Sequence, residues 1–346
     1  MKETKQTLIY ILKRLALMVL TFIAIFFICF ILIRLLPYQV DSGMKDQETF
    51  FKNMVAQGRM QPIYEIINGV KVPTGKYEST PIFTQLWYFL SNLFSPNSPY
   101  RWGVSYIIDL YSSPADVLFS RLPPTILINI YSMIVSIPVG LGLGIFMALK
   151  KNKWEDHALS ILVMLVISVP SFVYAFLLQY IFSYQLGIFE PVRANLGDGG
   201  WFAPQMFASM VLPVLAMCFG SIAGFARYTR AELTEVLTSD FMLLARTKGL
   251  TRAQATVRHA FRNSLVPIFP MILGEIISVL SGSLIIENIF VVNGVGSLFL
   301  EAITKRDLDV FQFVAMFYIT IGLVGSLIVD ISYGIVDPRI RMGGGK

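Results

Sequence analysis

Cysteine and histidine are each present only twice in 346 residues. Cys29 and Cys218 both fall inside apolar runs, which argues against a disulfide framework or a thiolate metal site and leaves them as small packed hydrophobes. His157 and His259 both fall in stretches that charge placement assigns to the cytoplasm, so a zinc site or a His-based triad within the membrane is not expected, nor is nickel ligation by this chain. A phosphate-binding loop, Gly-x-x-x-x-Gly-Lys-Ser/Thr opening a helix, is also missing. Gly343-Gly-Gly-Lys346 has no helix after it, and Gly140-Leu-Gly-Leu-Gly144 lies inside an apolar run, where small residues let helices approach closely. Charge is scarce too, at 14% of residues.

What the chain has instead is apolar length. Hydrophobic residues make up 55% of it and the mean hydropathy is +0.64, far above a soluble domain of this size. Leu15 to Ile33 reads LALMVLTFIAIFFICFILI, and about 20 such residues at ~1.5 Å each cross a ~30 Å hydrocarbon core. A cleaved signal peptide is the alternative, but this run is too long for one and exits through Arg34-Leu-Leu-Pro37 rather than small residues. Further spans are expected at roughly 126–149, 159–182, 206–225, 265–286 and 310–331. Six spans place both termini on one side. Lys and Arg crowd the N-terminus, the connection Lys150 to Lys153, the segment Arg227 to Arg262 and the tail, so both termini are expected in the cytoplasm. The net charge of +6 thus reflects topology, and no nucleic-acid partner is implied.

One extracytoplasmic connection, residues 37–122, is much longer than the rest. Asn68-Gly69 before Val70-Lys71-Val72 predicts a hairpin turn, and Trp87 to Phe94 a short amphipathic helix. Read as a small external domain, it offers a docking surface or lid for a partner; a tolerated insertion fits equally. No internal repeat or low-complexity tract is present. Pro and Gly inside the spans suit transporter helices and plain helix packing alike.

Between the fourth and fifth spans runs ARTKGLTRAQATVRHAFRNSLVPI, Ala245 to Ile268, basic and free of acids. Asp240 is placed to cap a helix through Lys248, with Gly249 in the left-handed C-terminal position. Thr251 with Gln254 forms a capping box for a second helix to about Arg262. Two short helices joined by a sharp turn result. A basic helix lying on anionic lipid is the alternative, but Arg252, Arg258 and Arg262 are accompanied mainly by alanines, which suit a protein cleft better.

At these residues the chain resembles the membrane-spanning subunits of ATP-binding cassette (ABC) importers for oligopeptides, dipeptides and nickel. The resemblance rests on Ala226-Arg-Tyr-Thr-Arg230, Ala245-Arg-Thr-Lys-Gly-Leu250, Arg258-His-Ala-Phe-Arg-Asn-Ser-Leu-Val-Pro267 and Asp330-Ile-Ser-Tyr-Gly-Ile-Val-Asp-Pro-Arg-Ile-Arg341. Arg121-Leu-Pro-Pro-Thr125 and Val169-Pro-Ser-Phe172 add to it. It implies an all-α polytopic membrane protein with six transmembrane helices, the type I importer (MetI-like) permease fold, and a small extracytoplasmic insertion after the first helix. The division would be 1–36 tail and first helix, 37–122 insertion, 123–335 permease core with coupling helices at 240–262, and 336–346 tail. The resemblance assigns ATPase coupling to Asp240, Ala245, Lys248, Gly249, Leu250, Arg252, Arg258 and Arg262. Implied partners are a homologous second permease, two ATPase subunits that bind ATP and Mg, an extracytoplasmic substrate-binding protein, membrane lipid and a peptide substrate. This chain itself would bind no cofactor and have no enzyme activity, and its place would be the bacterial cytoplasmic membrane. Uptake of nickel or a metal chelate is the alternative. Three places depart from the pattern: Leu243-Leu244 where Glu-Ala is general, Pro37-Tyr-Gln-Val40 for a Pro-Gly-Asp-Pro turn, and Asn293-Gly-Val-Gly296 for Pro-Gly-x-Gly.

Glu275 is the one carboxylate well inside a span, where a charge costs at least ~2.5 kcal/mol. It either faces a translocation cavity or is a protonated or locally paired structural group. Ser278, Ser281 and Ser283 either line the same path or simply pack at helical spacing. Arg34 and Glu287, near span ends, are expected to snorkel. An ion- or proton-driven carrier using Glu275, and an anchor whose outer segment does the work, are the rival functions.

Overall fold

The computed structural model describes residues 2–36, 47–67, 70–192, 200 and 203–336. The turn pair Asn68-Gly69, the departure at Pro37 to Val40 and the tail from Asp337 lie outside the described residues. Helices dominate. In chain order they are α1 Lys2–Arg34, α2 Gln47–Ala56, α3 Ile82–Phe94, α4 Pro114–Leu149, α5 Trp154–Ser168, α6 Ser171–Leu178, α7 Pro204–Leu237, α8 Asp240–Thr247, α9 Arg252–Ala255, α10 Phe261–Ser278, α11 Leu284–Ile289, α12 Val295–Thr304 and α13 Leu308–Val336. Among the described residues five helical stretches are long and apolar enough to cross a membrane: Ile9–Arg34, Pro114–Leu149, Pro204–Leu237, Ala253–Ser278 and Leu308–Gly334.

A sixth crossing requires α5 and α6 together, and these are bent by 98°. The third expected span is therefore broken rather than straight. The break is at Val169-Pro170, because proline has no N–H to give and forces the residue before it out of the helical region; Val169 is extended, at φ −88° and ψ 126°. After α6 the chain widens into a π-turn over Gln179–Gln185, where the Gln179 amide donates to the carbonyls of Pro191 at 2.6 Å and Ile289 at 3.2 Å.

The chain forms two compact units. The first comprises Met1–Met18, Leu122–Ser297 and Ile321–Lys346. Its apolar core joins Ile128 of α4, Ala175 of α6, Met206, Met210, Leu212, Ala216 and Cys218 of α7 and Ile286 and Phe290 around α11. Cys218 thus packs as an apolar residue whose thiol lies 3.5 Å from the Ser132 hydroxyl. Gly140 and Gly144 let α4 lie directly on α7: a Cβ at Gly144 would stand 2.7 Å from the Ala226 carbonyl oxygen and one at Gly140 2.6 Å from the Phe225 Cβ. Gly142 faces open space, so only two of the three glycines serve close approach.

The second unit comprises Val19–Arg121 and Leu298–Thr320. The hairpin expected around Asn68-Gly69 forms: β1 Met60–Ile67 pairs antiparallel with β2 Val70–Ser79, from Ile67 opposite Val70 to Met60 opposite Ser79, with a register shift between Pro62 and Tyr64. The amphipathic helix predicted at 87–94 starts earlier, at Ile82, directly after Pro81. Phe50 and Met54 of α2 form a small core with Val104 and Tyr106.

Buried charge holds this unit together. Arg59 donates to Asp309 Oδ1 at 2.5 Å, and Arg34 lies 3.6 Å from the same oxygen. Asp309 Oδ2 accepts from the Val104 amide at 2.9 Å. Asp307 Oδ2 accepts from the Ser105 hydroxyl at 2.7 Å and the amides of Tyr106, Ile107 and Ile108 at 3.1–3.2 Å. Arg34 therefore does not snorkel. It is buried, because a carboxylate in its own unit offers a partner that a span end in lipid does not.

Candidate coupling elbow and translocation path

The chain turns sharply after α7. Ser239, not Asp240, occupies the N-cap of α8, with extended backbone and no side-chain capping bond. Its hydroxyl instead donates back to the Val236 carbonyl at 2.6 Å. Asp240 is the exposed first residue of the helix, where a carboxylate still suits the positive end of the dipole. Gly249 has φ +90°, as the helix stop required. Its amide donates to the Arg246 carbonyl at 3.0 Å, and a Cβ there would meet nothing within 4 Å. The capping box forms: the Thr251 amide donates to Gln254 Oε1 at 3.1 Å and the Gln254 amide to Thr251 Oγ1 at 3.3 Å.

The second helix of the pair does not end at Arg262. It passes through a π-turn at Thr256–Ala260 into α10, so Arg262 sits in a continuous rod from Ala253 to Ser278. No glycine follows Arg262 until Gly274, and the helix continues through Pro267 and Pro270. Only α8 is a short helix set off by turns at both ends.

The elbow has an inner and an outer face. Met242 packs with Ala148, Leu233, Ala255 and Ala260, and Ala245 and Leu250 lie half-buried against that cluster. These three fix the elbow to the bundle. Outward point Asp240, Lys248, Gly249, Arg258 and Arg262, together with Phe241, Leu243 at 63% and Leu244 at 55% exposure; the Arg252 side chain is outside the described residues. The outer face of α8 is thus more apolar than the alanines of the second helix suggested.

The residues expected to line a path do not share one face. Glu275 is half-buried and accepts from the Ser221 hydroxyl at 2.8 Å, and the Ser278 hydroxyl turns back to the Glu275 carbonyl at 2.7 Å. There α10 ends, eight residues before the expected end at 286. Gly282 takes the left-handed conformation at φ +64°, and the Ser283 hydroxyl accepts from the Ile286 amide at 3.3 Å, capping α11. Ser281 and Ser283 are turn residues, off the helical spacing that sequence periodicity assigns them.

Two carboxylates to which the sequence gives no site role are the most constrained of the first unit. Glu287 is 1% exposed and does not snorkel. Oε1 accepts from the Thr125 hydroxyl at 2.9 Å and Oε2 from the Ser297 amide at 3.0 Å. A Cβ on Gly282, Gly294 or Gly296 would collide with its carboxylate, so the glycines of Asn293-Gly-Val-Gly296 shape this cradle. Burial pushes the Glu287 carboxyl up to about 7, against the opposing pull of its hydrogen bonds. Asp156 is completely buried and receives both Arg230 Nε at 2.5 Å and an Arg230 terminal nitrogen at 2.7 Å, plus the Asn152 amide at 3.0 Å. Bidentate, charge-assisted bonds of this kind are among the stronger polar contacts in proteins. Signals for both were present in the chain: Thr125 closes Arg121-Leu-Pro-Pro-Thr125, Arg230 closes Ala226-Arg-Tyr-Thr-Arg230, and Gly294 and Gly296 follow Glu287 within ten residues.

Residues 140–342 match the family described as binding-protein-dependent transport system inner membrane component, and the chain belongs to that family. It is a membrane transport component. More particularly, it is 30% identical over 333 residues to the dipeptide transport system permease protein DppB of Bacillus subtilis (strain 168), covering 96% of this chain and 98% of that one. The DppB of Lactococcus lactis subsp. cremoris (strain MG1363) is 31% identical over 337 residues, 96% and 99% of the two chains. The glutathione transport system permease protein GsiC of Escherichia coli (strain K12) is 30% identical over 261 residues, 75% and 80%.

Proposed function

We propose that this chain is one of two permease subunits of an ATP-binding cassette importer for peptides. Two separate ATPase subunits supply the energy, and an extracytoplasmic binding protein delivers the substrate. The observation that carries the reading is the elbow at Ser239–Thr251. Its inner residues Met242, Ala245 and Leu250 anchor it to the helix bundle, while Phe241, Leu243 and Leu244 stand out from it. Exposed apolar side chains beside Lys248 and Gly249 fit a cleft on a partner protein, and a stiff helix so anchored passes a push on to α7 and α10. The substrate class is taken from the relatives, whose names include dipeptide and glutathione transport. Both termini lie in the cytoplasm, since the Lys and Arg of the elbow and of the Lys150–Lys153 connection mark that side. No covalent step occurs in this chain.

The test is cross-linking joined to uptake. A cysteine at Leu243 or Leu244, oxidised against cysteines in the ATPase cleft of the assembled transporter, should capture the ATPase, and ATP-dependent uptake of a labelled dipeptide should fall with it. Uptake by vesicles holding this chain without ATPase subunits would overturn the reading.

A further inference from the structure

Helix α3 carries no charged residue in thirteen: IFTQLWYFLSNLF. Its only buried side chain is Gln85, whose amide donates to the Thr80 carbonyl at 2.8 Å. Its largest rings point outward, with Phe83 82%, Trp87 70% and Phe94 78% exposed. A helix of this composition is unstable facing water.

The packing of α3 says what it faces. Phe89 lies 5.8 Å from the ring of Phe26 and 5.5 Å from that of Phe30, both inside the spanning part of α1. Phe30 and Phe26 are four and eight residues before Arg34, so this contact is ~6–12 Å along the helix from the end of the span. That is the depth at which interfacial helices bury their apolar face, ~5–10 Å. Hydrocarbon is the medium available there.

Between α1, α3 and the start of α13 lies a cavity of about 510 Å³. Phe22, Phe26, Leu93, Trp102, Phe313 and Met316 are among its walls, and its only polar side chains besides the Trp102 indole are Gln312 and Thr320. From Gln312 to Thr320 it runs along ~12 Å of α13, close to the ~15 Å depth of one leaflet. Its size is that of a small-molecule site. At the C-terminal end of α3 the exposed Arg101 donates to the Leu93 carbonyl at 3.1 Å, which puts a guanidinium beside the cavity residues Leu93 and Trp102. Apolar walls of leaflet depth with a cation at one end match one chemistry.

We propose that this cavity is a phospholipid site, taking one acyl chain from the leaflet at the Arg34 end of α1 with the phosphate beside Arg101. α3 roofs the site and lies in the membrane interface. A bound lipid would add to the direct contacts, such as Phe89 on Phe26 and Phe30, that tie the long connection to α1. The proposal rests on the chain spanning a membrane and not on peptides as cargo.

The test uses Trp102 as reporter in the complete transporter, reconstituted in vesicles of phosphatidylcholine brominated at mid-chain. With Trp87, Trp154 and Trp201 replaced by Phe, the Trp102 signal is the difference from the further Trp102→Phe variant. Bromolipid should quench this signal at least twofold relative to unbrominated vesicles. Filling the cavity with Leu93→Phe and Met316→Phe should remove at least half of that quenching. An unquenched Trp102, as water or a partner's helix in the cavity would leave it, overturns the proposal. So does quenching that filling leaves unchanged, which would report bulk lipid only. If the double variant fails to assemble, Leu93→Phe alone is read in the same way, with the same loss of quenching expected and unchanged quenching overturning the proposal. Dipeptide uptake in the same vesicles is read separately, so loss of the importer reading leaves the lipid result interpretable.

Discussion

The Thr125 hydroxyl donates to Glu287 Oε1 at 2.9 Å while accepting from the Val295 amide at 2.8 Å. One hydroxyl thereby joins the start of the long apolar stretch of α4 to the turn after α11, and its loss disconnects both partners.

The Glu287 carboxyl titrates near 7 when folded against an ordinary value of 4.5. The folded state therefore holds the proton between these values while the unfolded state has lost it. The resulting stabilisation is fully present below about 4.5 and is lost as pH rises through 7, amounting to about 3 kcal/mol at most. Thermal unfolding of the purified transporter should fall in midpoint between pH 5 and pH 8, and Glu287→Gln should flatten that slope. Thr125→Val should lower the midpoint at both pH values, because the Val295 amide loses its acceptor.

Arg230→Ala leaves the completely buried Asp156 without its counter-charge. A fully buried pair would lose about 3–5 kcal/mol on truncation. The Arg230 side chain keeps 31% exposure, so a loss nearer ~2 kcal/mol is expected. Arg230→Lys should recover only part, since an ammonium cannot reproduce the two parallel bonds. Chemical denaturation of the three forms measures the order.

Gly249→Val should cost about 1–2 kcal/mol from its left-handed backbone and reduce uptake severely. Gly249→Asn, which tolerates that region, should retain most uptake. A Cβ at Gly249 would meet no atom of this chain within 4 Å, so within the chain the contrast between the two variants, which are of similar size, reports backbone conformation. Equal uptake by both variants would remove the elbow's dependence on that turn.

Gly144→Leu should destabilise by about 1–3 kcal/mol through overpacking against α7. Gly142→Leu, facing open space, should sit within experimental error of wild type. Comparing their thermal midpoints tests which side of α4 meets α7.

Much of the fold is legible in the sequence because it depends on local chemistry. The run Leu15 to Ile33 is helical and membrane-long by composition alone. Gly249 and the Thr251–Gln254 box are where backbone preference and side-chain reach, over four residues, predict the turn. The hairpin is announced by the turn signal Asn68-Gly69 before Val70-Lys71-Val72, while the reach of its strands from Met60 to Ser79 is set by their pairing. The misreadings are equally physical. Arg34 and Glu287 resemble span-end charges that reach for water, but each finds partners far along the chain. Ser281 and Ser283 look helically spaced because periodicity carries through Gly282, whose left-handed backbone lies outside the helix that ends at Ser278.

Membrane residence, the left-handed turn at Gly249 and the capping box after it are written in the linear order of residues. Those outcomes depend on hydropathy, helix punctuation and motif, each of which acts over a short range. The pairing of Thr125 with Glu287, of Arg230 with Asp156, and of Arg59 and Arg34 with Asp309 emerges only once the chain is folded. Such partners stand 74 to 275 residues apart, and nothing local in a charged side chain says which distant group will neutralise it.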